Sequence, residues 1–511
     1  MYGGESMEHN QSYWREKTNI PQFESLRYDA ESEIVIVGGG ITGIVTGYML
    51  AQEGKQVTIL EADALYSGTT GYTTAKLTAQ HGLIYDEYMQ HFNTDIAKTH
   101  YEACMDAIAF VKDTAKKHTI DCHLTEQDAY IYTKEKQNIQ KLEKEFEAYQ
   151  KLGITGELTD TIPLSFEVEK ALVMKNQYQY HPLQFLNGLL QAFLEKGGKV
   201  YTNTPVDTIE EGSEPVVVTK TGLKVTCQKI ISASHWPFYD GMGFYFARLY
   251  QDRSYVVAAK PKDTYPGGMY INADTPSRSV RSIDTEEHGT LLLIGGESHR
   301  TGEGHPEEKY YKELTDYAAY LGTETPLYMW SAQDIVTLDN LPYIGYISKG
   351  KDNIFVATGY RKWGMTSSIV AALEISSLIS SGISRYKNIY QPSRFQADPD
   401  VGSLTKNVME VAKEFVIGKL EQPYEYVPHL KPGEATKVRT NGLLLGVYKD
   451  ETGEIHQVDT TCTHMKCEVN WNSAESSWDC PCHGSRFTGT GEVIEGPAKK
   501  PLKKLDHGLN S

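Results

Sequence analysis

Residues 33–63 read EIVIVGGGITGIVTGYMLAQEGKQVTILEAD. A β-branched run, Ile34 to Val37, turns through Gly38, Gly40 and Gly43 into a segment with helical periodicity, and a second β-rich run, Val57 to Leu60, ends at Glu61. The pattern predicts a βαβ unit. Glycine at the first two positions permits the tight turn and lets backbone N–H groups at the helix start, around Ile41 and Thr42, approach a pyrophosphate. Gly43 lets the helix pack close to the strand, and Glu61, followed by Ala62, is placed to accept hydrogen bonds from a ribose hydroxyl. A lone glycine fingerprint is weak, but a strand before it, a helix after it and an acid closing the second strand point to a dinucleotide site.

Outward from this unit the chain runs into YSGTTGYTTAKLT (66–78), a small, hydroxyl-rich segment suited to phosphates and a ring edge. A nicotinamide enzyme usually completes a contiguous domain here, so the expected dinucleotide is FAD. With these two stretches the sequence resembles the glycine and D-amino-acid oxidase superfamily of flavoproteins, in which the second segment passes beneath the pyrophosphate and reaches the flavin. That resemblance assigns Thr69, Thr70, Thr74, Ala75, Lys76 and Leu77 to the cofactor. Some relatives tether FAD through a Trp-His dipeptide in this segment; Gly71-Tyr72 stands there instead, so the FAD is expected to be non-covalent. TNTPVDTIEE (202–211) resembles the strand whose valine, Val206, meets the adenine, and QKIISASHWP (228–237) the strand that returns to the nucleotide domain. NIFVATGYRKWGMTSSIVAALEISSLI (353–379) resembles the closing strand, Gly-rich turn and helix, with Gly359, Gly364, Met365 and Thr366 at the flavin. A helix starting there turns its positive end toward the flavin's pyrimidine edge and stabilises negative charge on the reduced ring. LLLIGGESHRTGEG (291–304) has glycines after a strand but no apolar helix behind them, which disfavours direct NAD(P)H binding.

The remaining stretches of the first 390 residues, about 81–194 and 241–334, are expected to form a substrate-facing cap. Arg253, Arg278 and Arg281 are candidates to clamp a substrate carboxylate, weighed against ordinary surface roles. His118 and His123 have an H-x4-H spacing seen in mononuclear iron sites, but the accompanying aspartate is out of place at Asp113, so the pair reads as helix-end or surface histidines.

After Ile389 the composition turns polar, and LTKNVMEVAKEFVIGKLE (404–421) carries Val408, Val411, Phe415 and Ile417 near helical spacing, predicting a helix docked by its apolar stripe. The tail reads as short strands, Leu443 to Tyr448 and Ile455 to Val458, joined by a turn at Gly453. CTHMKCEVNWNSAESSWDCPCHGSRF (462–487) then gathers four of the seven cysteines. Cys462 with His464, and Cys480 with His483, put one thiolate and one imidazole on each of two loops. Zinc fingers usually pair like with like, whereas a Rieske [2Fe–2S] centre gives two thiolates to one iron and two imidazoles to the other; the Rieske reading is favoured and zinc is the alternative. The resemblance to Rieske proteins adds a Cys467–Cys482 disulfide bracing the loops and imidazole edges near the surface. It also sets Ser485 as a donor to a bridging sulfide and places Phe487 where high-potential members carry a tyrosine donor. Fewer donors predict a potential below the top of the Rieske range of about −150 to +300 mV.

The whole chain thus resembles bacterial FAD-dependent oxidoreductases with a C-terminal Rieske domain. The expected fold is an α/β FAD-binding domain of Rossmann-like, glutathione-reductase type with an α+β cap, plus an all-β Rieske domain. Its expected divisions are an N-terminal arm (1–30), the oxidoreductase (31–390, with FAD-binding parts near 31–80, 195–240 and 335–390), a helical linker (391–423) and the Rieske domain (424–511). The expected activity is dehydrogenation of an amine or amino acid, with electrons passing from FAD to the cluster and on to an external one-electron carrier. Two alternatives are a flavin reductase fed by a ferredoxin-like donor through the cluster, and a non-catalytic redox-sensing module. A net charge of −17 over 511 residues argues against nucleic acid as a partner, and no run of apolar residues is long enough to span a bilayer. The N-terminal stretch lacks a secretory signal, so a cytoplasmic location is expected. A disulfide is unusual in that compartment, whereas the scattered Cys104, Cys122 and Cys227 suit it as inert buried thiols.

Overall fold

The computed structural model describes residues 12–303, 308–394, 397–420, 429–440 and 443–505. The first eleven residues of the N-terminal arm, and 421–428 where the linker meets the C-terminal domain, lie outside the described residues.

The βαβ unit is the centre of a six-stranded sheet ordered Tyr343–Tyr346, Ile354–Thr358, Lys229–Ser232, Ile34–Val37, Val57–Leu60 and Lys199–Tyr201. All neighbours run parallel except the first pair, which is antiparallel. Ile34–Val37 and Val57–Leu60 are buried at every position, covered on both faces, so they read as continuous runs instead of alternating ones. Helix Ile41–Gln52 packs against helices Gly364–Ser381 and Pro182–Glu195, and Thr94–Lys117 packs on Gly364–Ser381. Two helices inside the stretch assigned to the cap therefore join the nucleotide-binding layers.

The cap is a nine-stranded sheet whose strands run from Tyr328–Thr337 and Leu249–Ala259 at one edge to Lys170–Gln179 and Lys76–Leu77 at the other. Lys76 pairs with Gln179 and Leu77 with Tyr178, so the hydroxyl-rich segment leaves the nucleotide layer as an edge strand of the cap. The N-terminal arm is tied down through aromatic burial: Trp14, 1% exposed, donates its indole N–H to the Thr73 carbonyl at 2.7 Å.

The C-terminal domain is all β. Strands Ala435–Thr440, Leu443–Lys449 and Ile455–Asp459 form one antiparallel sheet, and Asn470–Asn472, Ser477–Asp479, Arg486–Thr488 and Val493–Glu495 form another. The connector is a helix, Ala397–Leu420, longer than the pattern suggested. Its apolar stripe does not dock: Val408, Phe415 and Ile417 are exposed and only Val411 packs against the C-terminal core. The docked face is polar, because Asn407 donates to the Ala247 carbonyl at 3.1 Å and the Lys419 ammonium pairs with buried Glu468.

The two halves meet over alternate residues of the paired strands Leu249–Ala259 and Tyr328–Thr337, where Arg253 lies opposite Gln333 and Tyr255 opposite Ser331. From the C-terminal domain, the buried Glu475 carboxylate accepts from Ser331 Oγ at 2.6 Å, Arg253 at 3.1 Å, Tyr311 at 3.2 Å and its own domain's Arg486 at 2.9 Å. Arg486 also donates to Asp479 at 3.1 Å, so the charges form a closed network. Breaking such a network from one side leaves buried charge uncompensated, which costs about 3–5 kcal/mol. Glu475→Ala is therefore expected to lower the unfolding temperature and open the junction to proteolysis, checked by calorimetry and limited digestion; unchanged melting would contradict the role.

Candidate functional site

The glycine turn is dictated by contact distances. Gly38 has φ +118°, and a Cβ there would lie 2.4 Å from the Ala233 carbonyl oxygen; a Cβ on Gly43 would lie 1.9 Å from the Gly38 oxygen. A Cβ on Gly40 would meet Thr70 Oγ1 at 2.9 Å, and that hydroxyl accepts from Ile41 N–H at 3.2 Å at the helix start. Thr42 Oγ1 contacts the Tyr360 hydroxyl at 2.8 Å. Glu61 accepts from Gly39 N–H at 2.6 Å and Asp63 N–H at 3.1 Å; burial pushes its carboxyl up, and these donors oppose the shift. Ala62 is exposed beside it, and Val206 begins a strand two residues beyond Thr204, whose N–H donates to the Glu61 carbonyl at 2.8 Å.

The second segment joins this turn to the start of helix Gly364–Ser381. Thr69 and Thr70 open a short 3-10 turn, Ala75 is buried at φ +58° and Leu77 is fully buried. Thr78 N–H donates to Thr366 Oγ1 at 3.1 Å while that hydroxyl donates to the Thr78 carbonyl at 2.8 Å, pinning the start of helix Gly364–Ser381, with buried Met365, to the segment. A Cβ on Gly359, at φ +77°, would lie 2.3 Å from Thr337 Cγ2. These glycines leave a backbone cradle at a helix N-terminus, the form a pyrophosphate requires.

Three cap arginines diverge. Arg253 is committed to Glu475, and Arg278 pairs with Glu297 at 2.6 Å and covers the Tyr317 ring. Arg281, 1% exposed, donates Nε to the Thr74 carbonyl and lies 5.3 Å from the Trp14 ring, while its Nη2 is buried with no hydrogen-bond partner. Burial draws the Arg281 guanidinium down to about 9 and, with Arg281 beside it, the Lys76 ammonium to about 7. His118 ends helix Thr94–Lys117 against the Tyr48 hydroxyl at 2.7 Å, and His123 is exposed. A buried His81, His100 and Cys104 group was not legible in the sequence; His81 bonds the Thr78 carbonyl at 2.8 Å and His100 the Tyr390 hydroxyl at 2.9 Å, which makes it a hydrogen-bonded core group.

The two cysteine loops are built alike. Cys462 N–H donates to the Cys467 carbonyl at 2.8 Å, and in the second loop Cys480 N–H donates to the Ser485 carbonyl at 2.8 Å. Cys467 and Cys482 form a disulfide, leaving Cys462 and Cys480 as buried free thiols. The His464 and His483 rings stand 4.9 Å apart at 88°, and both Nδ1 atoms are buried without a partner. Two free thiols and two orphaned ring nitrogens are the donor set of a Rieske cluster. Burial pulls His464 to about 4 and His483 to about 3, which keeps them neutral as ligands must be. Ser485 Oγ accepts from Ala498 N–H at 2.9 Å, and Phe487 packs in the same core cluster as the loop cysteines.

The expectation of two surface imidazoles holds for half-buried His464 alone. His483 is 4% exposed and faces the flavoprotein half, its ring 6.5 Å from Trp236. The two halves approach closely here: a Cβ on Gly302 would lie 2.6 Å from the Pro481 backbone N, and one on Gly484 2.6 Å from the Gln251 side-chain Oε1. Gln333 Nε2 donates to the Gly484 carbonyl at 3.0 Å, while its own carbonyl accepts from Thr69 Oγ1 at 2.9 Å. His235, next to Trp236, lies 3.4 Å from Thr69 Oγ1 and 3.4 Å from the Glu495 carboxylate. One short span thus links the hydroxyl-rich segment at Thr69 to the second cysteine loop. Sequence reading missed Trp14, Tyr360, His235, Trp236, Gln333 and Glu475; the adjacent aromatics Tyr13 and Trp14 in a polar arm were the one available signal.

A doubly wound nucleotide fold beside an all-β domain with mixed thiol and imidazole loops defines a flavin-dependent oxidoreductase carrying an iron–sulfur domain. The chain belongs to the FAD dependent oxidoreductase family, which matches residues 33–378, and residues 421–506 match the Rieske [2Fe-2S] domain. FAD and a [2Fe-2S] cluster are the cofactors these families imply. The chain is 48% identical over 499 residues, 97% of each chain, to the Bacillus subtilis protein named "Putative Rieske 2Fe-2S iron-sulfur protein YhfW". It is 23% identical to gamma-glutamylputrescine oxidoreductase of Escherichia coli, covering 74% of this chain and 91% of that one. The L-proline dehydrogenase structure from P. horikoshii shares the fold at a TM-score of 0.61 and 20% identity, covering 72% of this chain and 98% of that one. Among the described residues, no helix is long and apolar enough to cross a membrane.

Gly43→Ala is expected to yield protein largely without FAD, read from the flavin absorbance of the purified chain. Phe487→Tyr is expected to raise the cluster potential by roughly 60 mV in a redox titration, equivalent to one hydrogen bond of about 1.4 kcal/mol in a one-electron couple. No change would contradict the donor argument.

Proposed function

We propose that the protein dehydrogenates a carbon–nitrogen bond of a carboxylate-bearing amine or amino acid and passes the electrons from FAD, held non-covalently, through the Rieske cluster to an external one-electron carrier. When bound, FAD supplies a two-electron acceptor and the cluster a one-electron relay. In this reading Cys462, Cys480, His464 and His483 hold the iron and Gly38, Gly40, Gly43 and Glu61 hold the dinucleotide.

The observation that carries the reading is the packing of the His483 loop against Trp236 and, through Gln333, against Thr69 beneath the FAD cradle. Such proximity suits electron transfer within one molecule. Arg281 is proposed to receive the substrate carboxylate, because a buried guanidinium with an unpartnered nitrogen and no acidic partner is costly unless a ligand neutralises it. The relatives named for gamma-glutamylputrescine and L-proline oxidoreduction support a nitrogen-bearing substrate.

The test is an anaerobic screen of amines and amino acids against the holoprotein, following flavin bleaching and then the cluster spectrum. The reading predicts that the flavin is reduced first and the cluster next. A cluster that responds only to an added donor would reverse the flow, and no response from either would exclude turnover on this class. With a substrate in hand, Arg281→Met is expected to raise KM by about tenfold to a hundredfold, the loss of a charged hydrogen bond, with Arg281→Lys intermediate; an unchanged KM contradicts the carboxylate role.

A further inference from the structure

Two cations stand together on the cap sheet with no carboxylate between them. Arg281, on strand Arg278–Thr285, sends its guanidinium to the Thr74 carbonyl, and two residues further on Lys76 begins the edge strand that pairs with Lys170–Gln179. Lys76 therefore belongs to the cap sheet and not to the nucleotide layer. It has no hydrogen-bond or ion-pair partner among the described residues, and the charge that acts on its ammonium is Arg281, another cation. Arg281 in turn keeps a buried Nη2 without a partner. The ionisable neighbour that bears on it is the Tyr265 phenol, whose hydroxyl is spent on the Gly268 carbonyl at 2.9 Å.

A third group shares the site. Lys76 lies directly opposite Gln179 in the antiparallel pair, and opposed residues project from the same face of a sheet. Gln179 is 6% exposed, and its Oε1 is buried without a partner. Trp14 closes one side: its ring lies 5.3 Å from the Arg281 guanidinium and edge-on to buried His181 at 4.8 Å. Like charges side by side repel, and a buried polar atom without a partner forfeits its hydration. A core assembled for stability alone would set a carboxylate between the cations, as Glu475 sits between Arg253 and Arg486. The complement of this set is a ligand with two negatively charged acceptors and one N–H donor.

We propose that Arg281 and Lys76 receive the two carboxylates of an amino-dicarboxylic acid, with the Gln179 amide oxygen accepting from its nitrogen. The inference rests on the carbon–nitrogen reading and narrows its substrate. A neutral amino acid satisfies one cation and leaves the other bare, and a diamine is repelled by both. Lys76 is thus the specificity residue, selecting for the second carboxylate, whereas Arg281 serves any carboxylate. The lysine, expected at the cofactor from the sequence, stands in this proposal on the substrate's side.

The test is calorimetric titration of the holoprotein with ligands that cannot be oxidised: succinate, glutarate and adipate as dicarboxylates, against butyrate, inorganic phosphate and the dication hexamethonium. The best dicarboxylate is expected to bind at least about tenfold tighter than butyrate, a ranking on the unaltered protein that needs no variant. Lys76→Met is expected to remove that margin and leave butyrate affinity unchanged, Lys76→Arg to retain it, and Arg281→Met to weaken both. Flavin absorbance shows that each variant holds its cofactor. Butyrate binding as tightly as every dicarboxylate, tighter binding of phosphate or hexamethonium, or equal weakening of butyrate and dicarboxylate in Lys76→Met would each overturn the proposal. So would loss of flavin from a folded Lys76→Met, which would give the lysine to the cofactor. Neutral amino acids that bleach the flavin where dicarboxylic ones do not would overturn this inference and leave the carbon–nitrogen reading standing. No bleaching by any amine, with the dicarboxylate preference intact, would do the reverse.

Discussion

The Glu475 carboxylate holds the molecule's two halves to one geometry. It is buried between Arg253 of the flavoprotein half and Arg486 of the C-terminal half, with Ser331 and Tyr311 filling its remaining acceptor positions. Buried charges are poor sources of net stability, because desolvation consumes most of the attraction. What they supply here is register: a small displacement of the C-terminal domain would leave the buried Arg253 guanidinium of the flavoprotein half without its carboxylate. Gly302 then lets the two backbones close to a distance no side chain would allow, and Gly484 leaves room for the Gln251 side chain.

That fixed docking divides the two loop histidines. His483 is turned inward, against Trp236 and the strand that carries Gln333, while His464 keeps an edge toward solvent beside Met465 and Lys466. In the proposed flow, one imidazole faces the electron source within the chain and the other the acceptor outside it. The linker helix likewise spends polar residues on the body of the protein: Asn407 donates to the Ala247 carbonyl and Lys419 pairs with buried Glu468.

Much of this was legible locally. The glycine turn, Glu61 and the four cysteines with their two histidines are short-range patterns, since each depends on backbone geometry or ligand spacing within a few tens of residues. What stayed hidden depends on long-range pairing. Arg253 and Glu475 lie 222 positions apart, and nothing in either neighbourhood distinguishes a docking arginine from a substrate clamp. Arg253, Arg278 and Arg281 look alike in sequence and separate only by their partners: an interdomain carboxylate, a neighbouring one and none. The linker stripe misled because periodicity reports which residues share a face, not which face is covered. Trp14 was overlooked because its partner, the Thr73 carbonyl, leaves no mark in the sequence.

The central claim is that the cluster sits at a fixed distance from the flavin and is served from within the same chain. Laser-flash photoreduction of the flavin in the holoprotein, followed by the rate of cluster reduction, tests it without a substrate. The account predicts a first-order rate that does not change with protein concentration or with added glycerol. A rate proportional to protein concentration, or one that falls as viscosity rises, would show that the cluster must travel or meet another molecule, and would contradict it.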